Sequence, residues 1–90
     1  MRRLIYLPRF NKDVALMQKR HSDMEKLKTV IVLLMNGETL EARHKDHPLK
    51  GTYAGFRDCH IAPDWLLIYR LVGTDELELA RTGSHADLFK

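Results

Sequence analysis

Apolar and polar positions follow one another along this chain with changing rhythms, and each rhythm predicts a different element. Leu4-Ile5-Tyr6-Leu7 is a short apolar run within residues 2–7. Pro8 ends it, having no amide hydrogen to give to a ladder, so an opening strand is predicted. Phe10, Val14 and Met17 then recur at spacings of four and three, one face of a helix over residues 9–20, while Lys12, Lys19 and Arg20 lie off that face. Ser22-Asp23-Met24-Glu25 has the form of a capping box, in which the Ser22 hydroxyl accepts from the Glu25 amide and the Glu25 carboxylate reaches back to the Ser22 amide. A second helix is expected from there, burying Met24, Leu27, Val30, Ile31 and Leu34 and ending at Asn36-Gly37, where a left-handed residue fits. The short connection predicts an antiparallel helix pair.

Residues 38–51 lose this periodicity and read as a loop, ending at most in a short extended piece. Beyond them the pattern is that of strands, predicted over residues 53–61, 65–72 and 76–82. Ala62-Pro63-Asp64 and Gly73-Thr74-Asp75 supply the turns between them. The unbroken apolar run Trp65-Leu66-Leu67-Ile68-Tyr69 is expected of a central strand covered on both faces. In the last strand Leu77 and Leu79 alternate with Glu76 and Glu78, which predicts that Arg81 shares the core-directed face of the two leucines. A guanidinium there needs an anionic partner, and a structural ion pair with Asp58 or Asp64 is one reading. Gly83 marks a further turn and Ser84 a cap for a last helical turn, from which Phe89 packs back on the sheet. The prediction is an α+β fold: an N-terminal strand, two antiparallel helices, then an antiparallel sheet with a short C-terminal helical turn, forming one domain over residues 1–90.

Composition narrows the function classes. Ninety residues close one hydrophobic core and have too little surface to cover two. Hydrophobic residues at 44% and charged residues at 30% describe a globular chain and exclude a disordered one. No apolar stretch approaches the roughly 20 residues that span a bilayer, and MRRLIYLPRF holds too short an apolar segment for a secretory signal. A cytoplasmic protein without a membrane partner is expected. Cys59 is the only cysteine, so no intrachain disulfide forms. The net charge of +3, with five histidines able to add to it, favours an anionic partner. The lysines and arginine of the helices read as a solvated face, with RNA contact as the alternative.

The candidate chemistry lies in four groups from scattered segments: His47 in the loop, His60 at a strand edge, Asp64 in a turn and His85 near the C-terminus. Scattered origins on neighbouring strands converge in many active sites. RNA is cut without a metal ion when a base takes the 2′-hydroxyl proton, an acid protonates the departing 5′-oxygen and cations stabilise the phosphorane. Histidines suit both transfers, because a pKa near 6.5 allows one to be neutral while another is charged. Arg81 would hold the phosphate through its planar fork. Neither cofactor nor metal is expected: His44 and His47 are three apart, but Pro48 prevents the helix that would pair them as ligands. Phosphate-loop, nucleophile-elbow and zinc-protease motifs are all missing from the sequence.

The segments KDVALMQKRHSDMEKLK, KDHPLKG, RDCHIAPDWLLIYRL and ELARTGSHADLF together resemble the YafQ branch of the RelE toxin superfamily, the toxin half of bacterial type II toxin-antitoxin pairs. The resemblance covers most of the chain. It implies a fold related to small microbial ribonucleases and a ribosome-dependent endoribonuclease that cuts translated mRNA in the A site, favouring lysine AAA codons. Carried over by motif, it implies catalytic roles for His47, His60, Asp64 and His85; within that set the small neighbours Ser84 and Ala86 leave His85 reachable as general acid, with His60 or Asp64 as base and His47 to orient the phosphate or share the proton. It implies a phosphate contact for Arg81 and substrate-binding roles for Phe89 and Trp65, though Trp65 also begins the buried run. Lys45, Lys50, Arg57 and Arg70, with the helix lysines, are candidates for a basic rim on ribosomal RNA. The implied partners are the ribosome, mRNA and a cognate antitoxin that represses its own operon through the complex. The alternative is a non-catalytic toxin similar to the ParE relatives that act on DNA gyrase, which lack this histidine set.

Overall fold

The computed structural model describes residues 1–89, which form a five-stranded mixed sheet covered by helices. Along the chain come β1 (Arg3–Tyr6), α1 (Pro8–Lys19), α2 (Met24–Met35), β2 (His47–Pro48), β3 (Arg57–Ala62), β4 (Trp65–Val72), β5 (Glu76–Gly83) and α3 (His85–Leu88). The strand order is β1-β5-β4-β3-β2. β3 to β5 pair antiparallel, as expected, and His47–Pro48 of the expected loop adds a further antiparallel strand, whereas β1 returns through the helices to lie parallel to β5, so the sheet is mixed.

Pro8 does end β1, and it also opens α1, since a first-turn residue has no use for the amide hydrogen proline lacks. The expected capping box at Ser22 does not form. His21 takes a left-handed conformation (φ 59) and closes α1, which commits the Ser22 amide to the Met17 carbonyl at 3.1 Å. Glu25 therefore has no free amide to reach back to, and Asp23 caps α2 by accepting from the Glu25 amide at 3.1 Å. The other end follows the prediction: Gly37 is left-handed (φ 73), and its amide and that of Glu38 bond the Leu34 and Leu33 carbonyls. The strand predicted over residues 53–61 becomes Arg57–Ala62, because residues 51–53 coil into a 3-10 turn and Gly55 is left-handed (φ 91).

β4 lies at the centre of the sheet, and Trp65 through Tyr69 are at most 5% exposed. One face of the sheet, with Trp65, Leu67, Tyr69, Leu77, Leu79, Cys59 and Ile61, packs on Phe10 and Met17 of α1 and Leu27, Val30 and Leu34 of α2. Among the described residues, the apolar cover of the second face, with Leu66, Ile68 and Ala80, comes from Leu88 of α3 and from Leu7, Leu49, Tyr53 and Phe56. That thinner cover leaves room for a site.

Candidate active site

Antiparallel register sets polar side chains in rows across the second face. His47 pairs with Asp58, Asp58 with Ile68, and Ile68 with Arg81. The adjacent row joins His60, Leu66 and Gly83. Directly paired residues on one face lie within about 4.5–5.5 Å, so strand pairing alone gathers His47, Asp58 and His60 at one end of the sheet. Asp58 is 4% exposed, and burial raises its carboxyl above the usual range against the opposing pull of His47, His60 and His85. Burial lowers His60 below its ordinary value; Asp58 opposes this, while Lys45, His85 and His47 add to it.

His85 arrives from the C-terminal segment. Ser84 caps α3 with a reciprocal box, its hydroxyl accepting from the Asp87 amide at 3.2 Å while the Asp87 carboxylate accepts from the Ser84 amide at 2.9 Å. Arg20, at the end of α1, grips the same carboxylate at 2.7 and 3.2 Å. The Asp64 turn then fixes the imidazole: Oδ1 accepts from the His85 amide at 3.1 Å and from Nδ1 at 2.7 Å, leaving Nε2 outward. These bonds hold the Asp64 carboxyl below its usual value. The His85 ring faces that of His60 edge-on, with centroids 5.7 Å apart. Phe89 lies 6.5 Å beyond His85 and 6.0 Å from Tyr53, so an aromatic wall borders the pair.

Arg81 is on this face and not on the face of Leu77 and Leu79. Ile68 pairs with Arg81 and Tyr69 with Leu79, so Ala80 is an extra residue in β5. This bulge breaks the alternation that predicted a core-facing guanidinium. The anionic partner is neither Asp58 nor Asp64: Asp13 of α1 takes Nε at 2.6 Å and Nη2 at 3.2 Å, and the Tyr53 hydroxyl accepts from Nη1 at 3.4 Å.

Other candidates lie apart. Trp65 is on the helix-covered face, 5% exposed, its Nε1 donating to the Thr82 hydroxyl at 2.8 Å, so it supports β4 and β5 from behind. Arg57 projects to that same face by register with Tyr69 and pairs with Asp46 at 3.2 Å. Lys45 and Lys50 are exposed on the loops flanking β2, and the Lys45 carbonyl holds His47 Nδ1 at 2.6 Å. Cys59 is fully buried with its thiol pushed up by burial, which leaves no thiolate for nucleophilic work. Among the described residues no cluster of histidine, cysteine and carboxylate side chains is arranged to hold a metal ion. A cavity of about 680 Å³ between α2 and the β3 edge has His60 on its wall but does not reach His47, Asp64 or His85.

Three contributors escaped the sequence reading as parts of this site. Asp58 was legible in principle, being two residues from His60 in a strand and so on the same face. Asp13 is 68 residues from Arg81 and gave no local signal. His44, 7% exposed, bonds the His60 carbonyl through Nδ1 at 2.6 Å, taking over the edge of β3 where the two-residue β2 stops.

The chain matches, over residues 2–90, the family model described as the bacterial toxin of type II toxin-antitoxin system, YafQ. It is 54% identical over 86 residues to the mRNA interferase toxin YafQ of Escherichia coli, covering 93% of this chain and 91% of that protein. The crystal structure of YafQ from E. coli superposes with a TM-score of 0.93 at 48% identity, covering all of both chains. In a crystal structure of the E. coli DinJ-YafQ complex the matching chain gives a TM-score of 0.91 at 49% identity, again over 100% of each chain.

Proposed function

The chain belongs to the YafQ family of type II toxins, and on that premise we propose that it is an mRNA interferase acting in the ribosomal A site, with lysine AAA codons as its preferred target. The observation that carries the reading is the facing pair of His60 and His85, 5.7 Å apart on a face that also bears His47 and Arg81. In the proposed reaction neutral His60 removes the 2′-hydroxyl proton, and the resulting oxygen attacks phosphorus. The bond to the 5′-oxygen breaks as His85 Nε2 delivers a proton to it, leaving a 2′,3′-cyclic phosphate. The lowered pKa of His60 suits the base role. Asp64 has one oxygen committed twice to His85, which suits an orienting partner better than an alternative base. His47 and Arg81 hold the non-bridging oxygens, and Phe89 stacks on a nucleobase. No metal or cofactor takes part in this scheme.

Lys45 and Lys50 supply the rim for ribosomal RNA phosphates. Arg57 contributes at most from the far side of its strand, and Trp65 acts by supporting the sheet. Residues 1–90 work as one toxin domain in the cytoplasm. A cognate antitoxin is the expected protein partner, supported by the DinJ complex of the E. coli relative, and operator DNA is reached only through that complex.

The test is mRNA cleavage on programmed ribosomes, mapped at nucleotide resolution for the unmodified protein and His85→Ala. Codon-dependent cuts that vanish in the variant are expected. A folded, unmodified protein that makes no cuts would overturn the reading in favour of a gyrase-binding toxin of the ParE kind.

A further inference from the structure

The outer edge of β5 changes partner halfway along. β1 accompanies it from Glu76 to Leu79 and then stops. The Leu7 amide still bonds the Leu79 carbonyl at 3.0 Å, after which the chain turns into α1 at Pro8. From there a side chain takes the place of a strand. Asp13 Oδ2 accepts from the Thr82 amide at 3.1 Å, so the ladder is continued by a carboxylate.

That single bond would satisfy the edge, yet Asp13 makes two more. Oδ2 also accepts from Arg81 Nε at 2.6 Å, and Oδ1 accepts from Nη2 at 3.2 Å. Both side chains are nearly closed off, Arg81 at 11% exposure and Asp13 at 12%. The fork is therefore gripped along its Nε–Nη2 edge, which leaves Nη1 directed away from Asp13 toward the Tyr53 hydroxyl. The bulge at Ala80 has already turned Arg81 to the face of His47, Asp58 and His60. Two backbone-level facts, a strand that stops early and one extra residue, thus deliver the guanidinium and its holder to the same point.

We infer that Asp13 is a positioning residue for Arg81, fixing the guanidinium so that its remaining donors meet the scissile phosphate. The inference rests on the ribonuclease reading. A flexible arginine paired only with solvent would need to be ordered each time a phosphate arrived, whereas a gripped fork is in place beforehand. Asp13 does this without touching substrate, and its own edge contact with Thr82 keeps the carboxylate from following the arginine.

A purely structural role for Asp13 is separable, because the carboxylate has two jobs. Asp13→Asn keeps an oxygen for the Thr82 amide and Arg81 Nε but turns an NH₂ group toward Arg81 Nη2, where two donors repel. The experiment is a double-mutant cycle of Asp13→Asn with Arg81→Ala, reading kcat and KM for mRNA cleavage on programmed ribosomes. Asp13→Asn alone is expected to lower kcat by about tenfold, equivalent to about 1.4 kcal/mol, and to change it less than about twofold once Arg81 is already alanine. In NMR spectra of the free protein the Arg81 Nη2–H signal is expected to be slow to exchange and to be lost in Asp13→Asn, while the Thr82 amide stays protected. An equal loss in both backgrounds, no loss at all, or an unchanged Arg81 signal would each overturn the positioning role. An unmodified protein that cuts nothing brings down the ribonuclease reading and this inference together; cleavage with an additive cycle brings down this inference only.

Discussion

Asp58 lies directly across the β2–β3 ladder from His47, and its Oδ1 atom is buried with no hydrogen-bond partner. A carboxylate in that position works against the fold and for the field around the histidines. Its folded pKa is raised by burial from an ordinary value of 3.8. A group raised in this way adds stability below its unfolded pKa, and that contribution is lost as pH rises through the folded value. At pH 7 the charged form therefore weakens the native state. Asp58→Asn is expected to raise stability at pH 7 by about 1 kcal/mol, visible as a Tm increase of roughly 4–8 °C, with the gain vanishing below pH 4. The same variant is expected to cut RNA less well. Calorimetry at both pH values checks the first part; a Tm at pH 7 no higher than that of the unmodified protein would contradict the burial argument.

His60 carries the opposite sign. Burial lowers its folded pKa beneath 6.5, so the unfolded chain takes up the proton first. Its contribution is present above pH 6.5 and is lost as pH falls through the folded value. If neutral His60 is the base, the acid limb of the kcat/KM profile lies below pH 6.5. A limb centred above that value, or one retained in His60→Gln, would assign the base elsewhere.

His85 is 55% exposed at its side chain and bonded only at the surface, so its loss should spare the fold. His85→Ala is expected to lower kcat by about 10²-fold or more while leaving Tm within a few degrees. Far-ultraviolet circular dichroism on the same preparation separates loss of chemistry from loss of structure. An unfolded variant would show that α3 depends on more than its Ser84 and Arg20 contacts.

Trp65 tests core against contact surface. Trp65→Phe removes the Nε1 bond to Thr82, whose hydroxyl also donates to the Leu66 carbonyl at 2.7 Å. Urea unfolding is expected to show a loss of about 1–2 kcal/mol, with cleavage nearly unchanged. Cleavage reduced tenfold in a variant of native stability would give the indole a substrate role despite its burial.

Deleting Ala80 removes the extra residue of β5, so that the Tyr69–Leu79 and Ile68–Arg81 pairs become consecutive in a regular ladder and Arg81 stays on the face of Ile68. The deletion variant is expected to keep cooperative unfolding. Loss of the cooperative thermal transition would mean that β5 needs the bulge itself and not only the face it gives Arg81.

Much of the fold was legible because local rules decide it. The buried stripes of both helices, the left-handed stop at Gly37 and the central position of β4 follow from spacing, from glycine's freedom at positive φ and from an apolar run that only two covered faces satisfy. The Ser22 box failed for an equally local reason that composition does not reveal: its amide had already been taken by the end of α1. The site was less legible. His60, Asp64 and His85 could be named from their motifs, and Asp58 from its parity with His60, but Arg81 was assigned to the wrong face because periodicity has no means of announcing an inserted residue.

By itself, then, the sequence determined the elements, their buried faces and the residue types able to move a proton, since these depend on the chain's own spacing and on the pKa each side chain brings. Only the tertiary structure decided which of those groups meet. Cross-strand register set His47 against Asp58, a turn carried Asp64 to His85, and a bulge carried Arg81 round to Asp13. Each of these pairings joins positions distant in the chain, and the free energy that selects them comes from closing the sheet and burying its two faces rather than from any segment alone.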